Sequence, residues 1–355
     1  MSELATFNKS ISFIAAFAVV GALLAMAFLL VENQGKLQEG ALKVRKRATA
    51  FAGIWLVASV LHIFLTLANI LGTSFADALE RNTVRSFLTQ VDLGQYLGVQ
   101  TLLIAVIALA IRFVRSVLAA AILLLFSLIT LIIPIFQSHS ASSGSHQLAI
   151  GSLIVHVVAL SLWVGGIFAI VALPDSERKF ALPRFSQMAL WTAIAVVVSG
   201  IANAWARLNF MDAWSSGYAR IVVLKAALTF VLLFLGYRNR RGLAQGSSTG
   251  IKLLGRFVVV EALIMTTLLF LGSWLAQTEP PTRGDLSISP ALSIVGFATP
   301  AEPTLARILL LYQPDALIMG ILILLVALYI KGVVVLTKRG DKWPVGRTIS
   351  FALAI

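Results

Sequence analysis

The 355-residue sequence has no cysteine. Disulfides, thiolate metal sites and CxxC relays are thereby excluded, and any metal must be held by His, Met, carboxylate or backbone groups. Charge is nearly as scarce. Only 12% of residues are Asp, Glu, Lys or Arg, about half the share found in soluble domains. Four histidines occur in the whole chain, so each imidazole can be followed individually. There is no GxxxxGK(S/T) phosphate loop, and no nucleophile stands at a workable spacing from a base. That removes an ATP-driven motor and the common covalent enzymes. The sequence reads as a non-enzyme with no catalytic residues.

What is present is apolar. Hydrophobic residues make up 59% of the chain, and the mean hydropathy is +0.94. Runs of about 20 apolar residues, enough to cross a hydrocarbon core of about 30 Å as helix, recur along the sequence. A β-barrel would show segments of about 10 alternating residues instead. The expected fold is all-α, a polytopic membrane helical bundle of about nine spans. They fall near residues 10–31, 48–71, 96–114, 117–136, 148–172, 185–206, 219–237, 253–276 and 315–336. The first run is longer than a signal-peptide core and lacks an A-x-A exit, so it is expected to stay as a helix.

A net charge of +13 would suggest nucleic acid in a soluble protein, but here the basic residues cluster at helix ends and set orientation. Of the 28 Lys and Arg, 20 fall in one set of alternate loops, seven fall in the other, and Lys225 lies inside a span. The richer set includes Lys43, Arg45, Lys46, Arg47, Arg112, Arg115, Arg178, Lys179 and Arg184. The N-terminus is therefore expected outside. Residues 72–95 mix charges with Phe75, Leu79, Val84 and Phe87, which predicts a short amphipathic helix at the interface. Residues 277–314 carry six of the ten prolines and read as an external linker between a membrane module at 1–276 and a further apolar stretch at 315–355. That last stretch stops too soon to complete a second span and reads as truncated.

Three of the four histidines lie in SHSASSGSHQLAIGSLIVHVVALSLWVGG, which passes from a polar loop straight into a span. His139 and His146 sit among serines and glycine on the external side. His156 lies two turns into the apolar run, where an ionisable group is costly and usually functional. Helix rise places His156 about 13 Å below the outer surface, His62 about 8 Å and Met265 about 12 Å. The three can then share a layer, provided that the second, fifth and eighth spans are neighbours. Imidazole with thioether and no thiolate suits copper better than zinc, so His139, His146, His156, His62 and Met265 are the candidate copper ligands. Glu261, one turn from Met265 on the same face, can balance charge or carry a proton, as can Lys225 on the preceding span. Trp163 lies on the His156 face. Gly165 and Gly166 permit close helix approach, and Asn203 is a polar neighbour for the site.

Two stretches, RFSQMALWTAIAVVVSGIANAWARL from Arg184 and YARIVVLKAALTFVLLFLGYRNRR from Tyr218, together with the Glu261 span and the histidine region, resemble the copper resistance protein D (CopD) family. The resemblance covers about residues 136–276. It implies a protein of the bacterial inner membrane that handles copper without nucleic acid. The soluble copper-binding domain of some relatives is missing here, which implies capture from a separate external copper chaperone. The tail, LYIKGVVVLTKRGDKWPVGRTISFALAI, is similar to the opening of the CtaG family of cytochrome c oxidase assembly proteins, and implies a link to a respiratory oxidase.

Three functions follow as expectations. In the first, His139 and His146 collect copper outside, His156 with His62 or Met265 holds it in the bilayer, and Glu261 balances its charge. In the second, His62 and His156 are the two axial ligands of haem b in an electron-transfer protein. In the third, the chain is an assembly scaffold that binds no metal.

Overall fold

The structure is a computed structural model, and it describes residues 2–137, 146–207, 216–244 and 248–276, with 278, 326, 329 and 332 singly. Among these residues it is an all-α membrane bundle. Seven helices are long and apolar enough to cross a membrane, and an eighth contributes a shorter apolar stretch at Val259–Leu275. Apart from residues 278, 326, 329 and 332, the expected linker, ninth span and tail lie outside the described residues, as does His139.

The first helix, α1 (Ser2–Leu24), loosens into one π turn at Ala25–Leu29. A two-residue hairpin follows, β1 (Glu32–Asn33) against β2 (Lys36–Leu37). Its turn residues Gln34 and Gly35 both have positive φ, at 49° and 75°, the geometry that matches the twist of a tight hairpin. Helix α2 (Glu39–Leu71) stops where Gly72 adopts the left-handed conformation at φ 64°, its N–H returning to the Ala68 carbonyl, a conformation glycine reaches without penalty. The amphipathic segment is α3 (Arg81–Gln90), whose Phe87 is buried between α2 and the next helix. Then come α4 (Asp92–Ala110), α5 (Val117–Ile132), α6 (His146–Ala172), α7 (Asp175–Arg207), α8 (Gly217–Ala244) and α9 (Ser248–Leu275). Ser116 caps α5 through the Ala119 N–H, filling one of the N–H groups that a helix start leaves open.

Helix α1 is the hub. It packs against α2, α5, α6 and α9, and two-thirds of its apolar window is buried, against 11% for α8. Membrane helices gain nothing from leaving lipid for another apolar surface, so close approach and polar links must hold them together. Both are visible here. A methyl group on Gly21 of α1 would overlap the Gly165 carbonyl of α6, and one on Gly165 would overlap the Phe17 carbonyl. The two helices meet there backbone to backbone. On the other face of α6, Gly166 accommodates the Phe185 ring of α7. Asn8 of α1 donates to the Ala58 carbonyl of α2 at 2.9 Å, and Ser59 of α2 bonds Thr101 of α4 at 2.7 Å.

Helices α2 and α7 both begin about ten residues earlier than hydropathy predicts, at Glu39 and Asp175. The basic segments there remain helical because their guanidinium groups have work at that end of the bundle. Arg45 donates to the Val114 carbonyl at 2.8 Å, and Arg47 to the Ala172 carbonyl at the end of α6. Arg178 donates to Ile170 at 3.1 Å, Val171 at 3.2 Å and Leu173 at 2.7 Å. Arg184 reaches Leu29 and Leu30, both at 3.3 Å. The last carbonyls of a helix have no partners of their own and carry negative partial charge. The arginines that the charge count reads as topology therefore also close α1 and α6. The hairpin is stitched into the same end, since Leu37 N–H donates to Arg115 O and Val117 N–H to Gly35 O. These contacts make up the basic end of the bundle.

Candidate membrane histidine site

His156 stands on α6 facing α7. Its Nδ1 lies 3.1 Å from the Val196 carbonyl and 3.1 Å from Ser199 Oγ. A carbonyl can only accept, so Nδ1 carries the proton. Ser199 can accept as well, because its own hydroxyl donates to Ala195 O at 2.5 Å or Val196 O at 3.2 Å. With Nδ1–H committed, the lone pair is on Nε2, the nitrogen left for a metal. Such a bond from the far ring nitrogen fixes the tautomer and the ring plane of metal-binding histidines. Gly200 lets the ring lie close to α7, since a methyl there would stand 3.4 Å from its Cε1.

The thioether comes from α9, which packs on both α1 and α6. Glu261, Met265, Leu269 and Ser273 form its buried stripe, with Met265 at 1% exposure and Glu261 at 7%. Met265 lies ten residues before the end of α9 and His156 ten residues after the start of α6. Because α6 and α9 run in opposite directions, both lie about 15 Å from the same side of the bundle. Trp163 is buried in the core that α6, α1 and α9 share, and Asn203 is half-buried on α7. His146 is the first residue of α6.

His62 is at a similar level, nine residues before the end of α2, but it does not join this group. The expectation that the second, fifth and eighth spans are mutual neighbours is corrected by the position of α1. Among the described residues α2 packs on α1 and α4, whereas α6 and α9 pack on α1 and on each other. α2 reaches α6 through Arg47 at the basic end, but the two are not among the helix pairs that pack along their length. No set of three or more His, Cys, Asp or Glu able to hold a metal occurs among the described residues.

Lys225 and Glu261 also part company. The Lys225 ammonium crosses to α9 at Gly272, where a methyl would be 3.5 Å away from Nζ. Gly272 is eleven residues beyond Glu261 in the sequence, about 16 Å along α9. That is too far for a direct ion pair or a single bridging water.

Sequence reasoning missed the ties that make His156 a defined donor. The signal was present as Ser199 and Gly200 on the next span, but pairing them with His156 requires the α6–α7 register. It also missed Gly21, because a glycine in an apolar run gives no hint of the helix it will meet.

Two family profiles match the chain: Copper resistance protein D-like, N-terminal domain, over residues 1–149, and Copper resistance protein D over residues 180–275. The chain thus carries the copper resistance protein D pattern in both halves. The first copper resistance protein D match ends just inside α6 and the second begins within α7, so His156 lies between them while Met265 lies in the second. An uncharacterized protein of Mycobacterium bovis and one of Mycobacterium tuberculosis are each 24% identical over 333 residues, 90% of this chain and 47% of theirs. Copper transport protein CutJ of Bacillus subtilis is 28% identical over 149 residues, 38% of this chain and 28% of its own. The chain spans less than half the length of these curated relatives. No solved structure matches significantly.

Proposed function

We propose that the chain is the membrane module of a copper transport or copper-delivery protein that takes the ion from the external, periplasmic side of a bacterial inner membrane. The reading is supported by His156, whose Nδ1 is held by Val196 and Ser199, and by buried Met265, which lies as many residues from the end of α9 as His156 lies from the start of α6, on a helix packed against α6. One imidazole and one thioether in a dry, thiolate-free setting suit copper(I). The copper resistance protein D matches and the similarity to a protein named for copper transport support the same cargo.

In this reading His139 and His146 collect the ion outside, with His146 at the mouth of α6. His156 and Met265 hold it in the bilayer, and buried Glu261, one turn beyond Met265 on the same stripe, balances its charge. Trp163, Gly165 and Gly166 fix α6 against its neighbours, and Asn203 lends polarity to α7. The arrangement needs no catalytic residue. An external copper chaperone and, through the CtaG-like tail, a respiratory oxidase are proposed as partners. Haem b is not favoured, because its two imidazoles must face one iron and α2 is not among the helices that pack along α6.

The test is an anaerobic titration of the purified chain with copper(I) against a competing chromophoric chelator. Wild type should bind copper, His156→Ala should lose the membrane site, and Met265→Leu should weaken it at least tenfold. A Soret band in the purified protein, or copper binding indifferent to both substitutions, would refute the assignment.

A further inference from the structure

Arg45, Arg47, Arg178 and Arg184 turn inward at the basic end, onto helix carbonyls. Three cations at one corner of that end do not. Lys36, Arg112 and Arg115 are exposed, and among the described residues none of them is paired with a carboxylate.

The corner is firmly built. It joins α4 to α5, and the hairpin is bonded into it main chain to main chain, Leu37 N–H to Arg115 O at 3.1 Å and Val117 N–H to Gly35 O at 3.0 Å. Arg45 holds the Val114 carbonyl from α2 at 2.8 Å. Lys36 is thereby set opposite Ser116, the residue after Arg115. The Arg112 guanidinium stands over its neighbour Phe113, 5.8 Å from the ring centroid, and Phe113 is 67% exposed. Cations beside an outward aromatic ring at the end of a span mark the level of the membrane interface.

The apolar surface next to these cations suits acyl chains. Val106, Leu109 and Phe113 lead along α4 to the corner at helical spacing, and Leu118, Ile122 and Leu125 lead away from it along α5. All six are exposed. The two helices pack on each other, and each turns a stripe that meets the cations toward the hydrocarbon. Anionic headgroups are drawn to such clusters of Lys and Arg at helix ends, because the charges attract where hydrocarbon gives way to water.

We infer that Lys36, Arg112 and Arg115 form a headgroup site for an anionic phospholipid in the leaflet at the basic end, its phosphate against the cations and its acyl chains along α4 and α5. A phospholipid meets both halves of this surface. A soluble acidic partner would meet the cations alone. The site uses none of the candidate copper ligands, so it stands whether or not the chain carries copper.

The test is native mass spectrometry of the full chain in detergent micelles, titrated with phosphatidylglycerol or phosphatidylcholine. Wild type should retain phosphatidylglycerol at a concentration about tenfold lower than phosphatidylcholine, and Arg112→Gln/Arg115→Gln should bind it about 25-fold more weakly, at about fivefold for each cation. The single variants should each lose about fivefold, which keeps the measurement decisive if the double variant does not fold. Arg81→Gln/Arg85→Gln removes two exposed arginines from α3, at the opposite end of the bundle, and should bind as wild type does. Equal retention of the two lipids by wild type overturns the proposal, as does unchanged binding in the corner variants or an equal loss in the α3 variant. Displacement of the lipid by inorganic phosphate would make the corner a site for a soluble anion, and tighter binding of polyglutamate than of phosphatidylglycerol would make it a site for an acidic protein. Either result overturns the lipid assignment.

Discussion

Substituting Gly21 by alanine tests the idea that the bundle is held at α1 by backbone approach. The added methyl would overlap the Gly165 carbonyl oxygen, so α1 and α6 must part by about 1 Å, a gap that forfeits a quarter to a half of the dispersion energy at each affected contact. Inserting a methyl into a packed interface costs about 1–3 kcal/mol. The value for Gly21→Ala should be near the top of that range, because the obstructing atom is main chain and cannot swing aside. Gly165→Ala should cost a similar amount through the Phe17 carbonyl. The double variant should cost less than the sum, since the second methyl enters space that the first has already opened. Gly53→Ala is the control: nothing lies within 4 Å of its added methyl, so stability should hold or rise by up to about 1 kcal/mol from helix propensity. Thermal or denaturant unfolding in micelles, followed by tryptophan fluorescence, gives all four values. Wild-type stability in Gly21→Ala, or strict additivity in the double variant, would refute backbone contact as the basis of this crossing.

Ser199→Ala leaves the Val196 carbonyl as an acceptor for His156 Nδ1, so the tautomer should hold and copper(I) affinity should fall by about tenfold, the low end of the usual range for an outer-shell partner; competition with a chromophoric chelator measures it. Arg178→Met frees the carbonyls of Ile170, Val171 and Leu173, and unfolding should show a loss of about 1–3 kcal/mol, partly restored by Arg178→Lys. For orientation, the chain has no native cysteine, so Thr73→Cys should react with an impermeant thiol reagent in intact cells and Gln34→Cys only after lysis; the reverse pattern would invert the topology.

The sequence by itself determined that this is a helical membrane protein, because about 20 apolar residues in a row have one economical way to satisfy their backbone in lipid. It also determined which ends of the helices gather, through the uneven placement of Lys and Arg, and it singled out His156 and Met265 as ionisable or soft donors at equal depth. Depth along a helix is a one-dimensional quantity that residue counting supplies. Which helix stands beside which is not, because lipid-facing and helix-facing surfaces are equally apolar and hydropathy cannot tell them apart. Only the tertiary structure packed α2 on α1 and α4 rather than along α6, sent Lys225 to Gly272, and aligned Val196 and Ser199 with the imidazole. Those decisions rest on small local facts: a methyl absent at Gly21 and Gly165, an amide at Asn8 reaching Ala58, and arginines turned back onto the carbonyls of α1 and α6. Each acts between segments far apart in sequence, where no period or spacing along the chain records it.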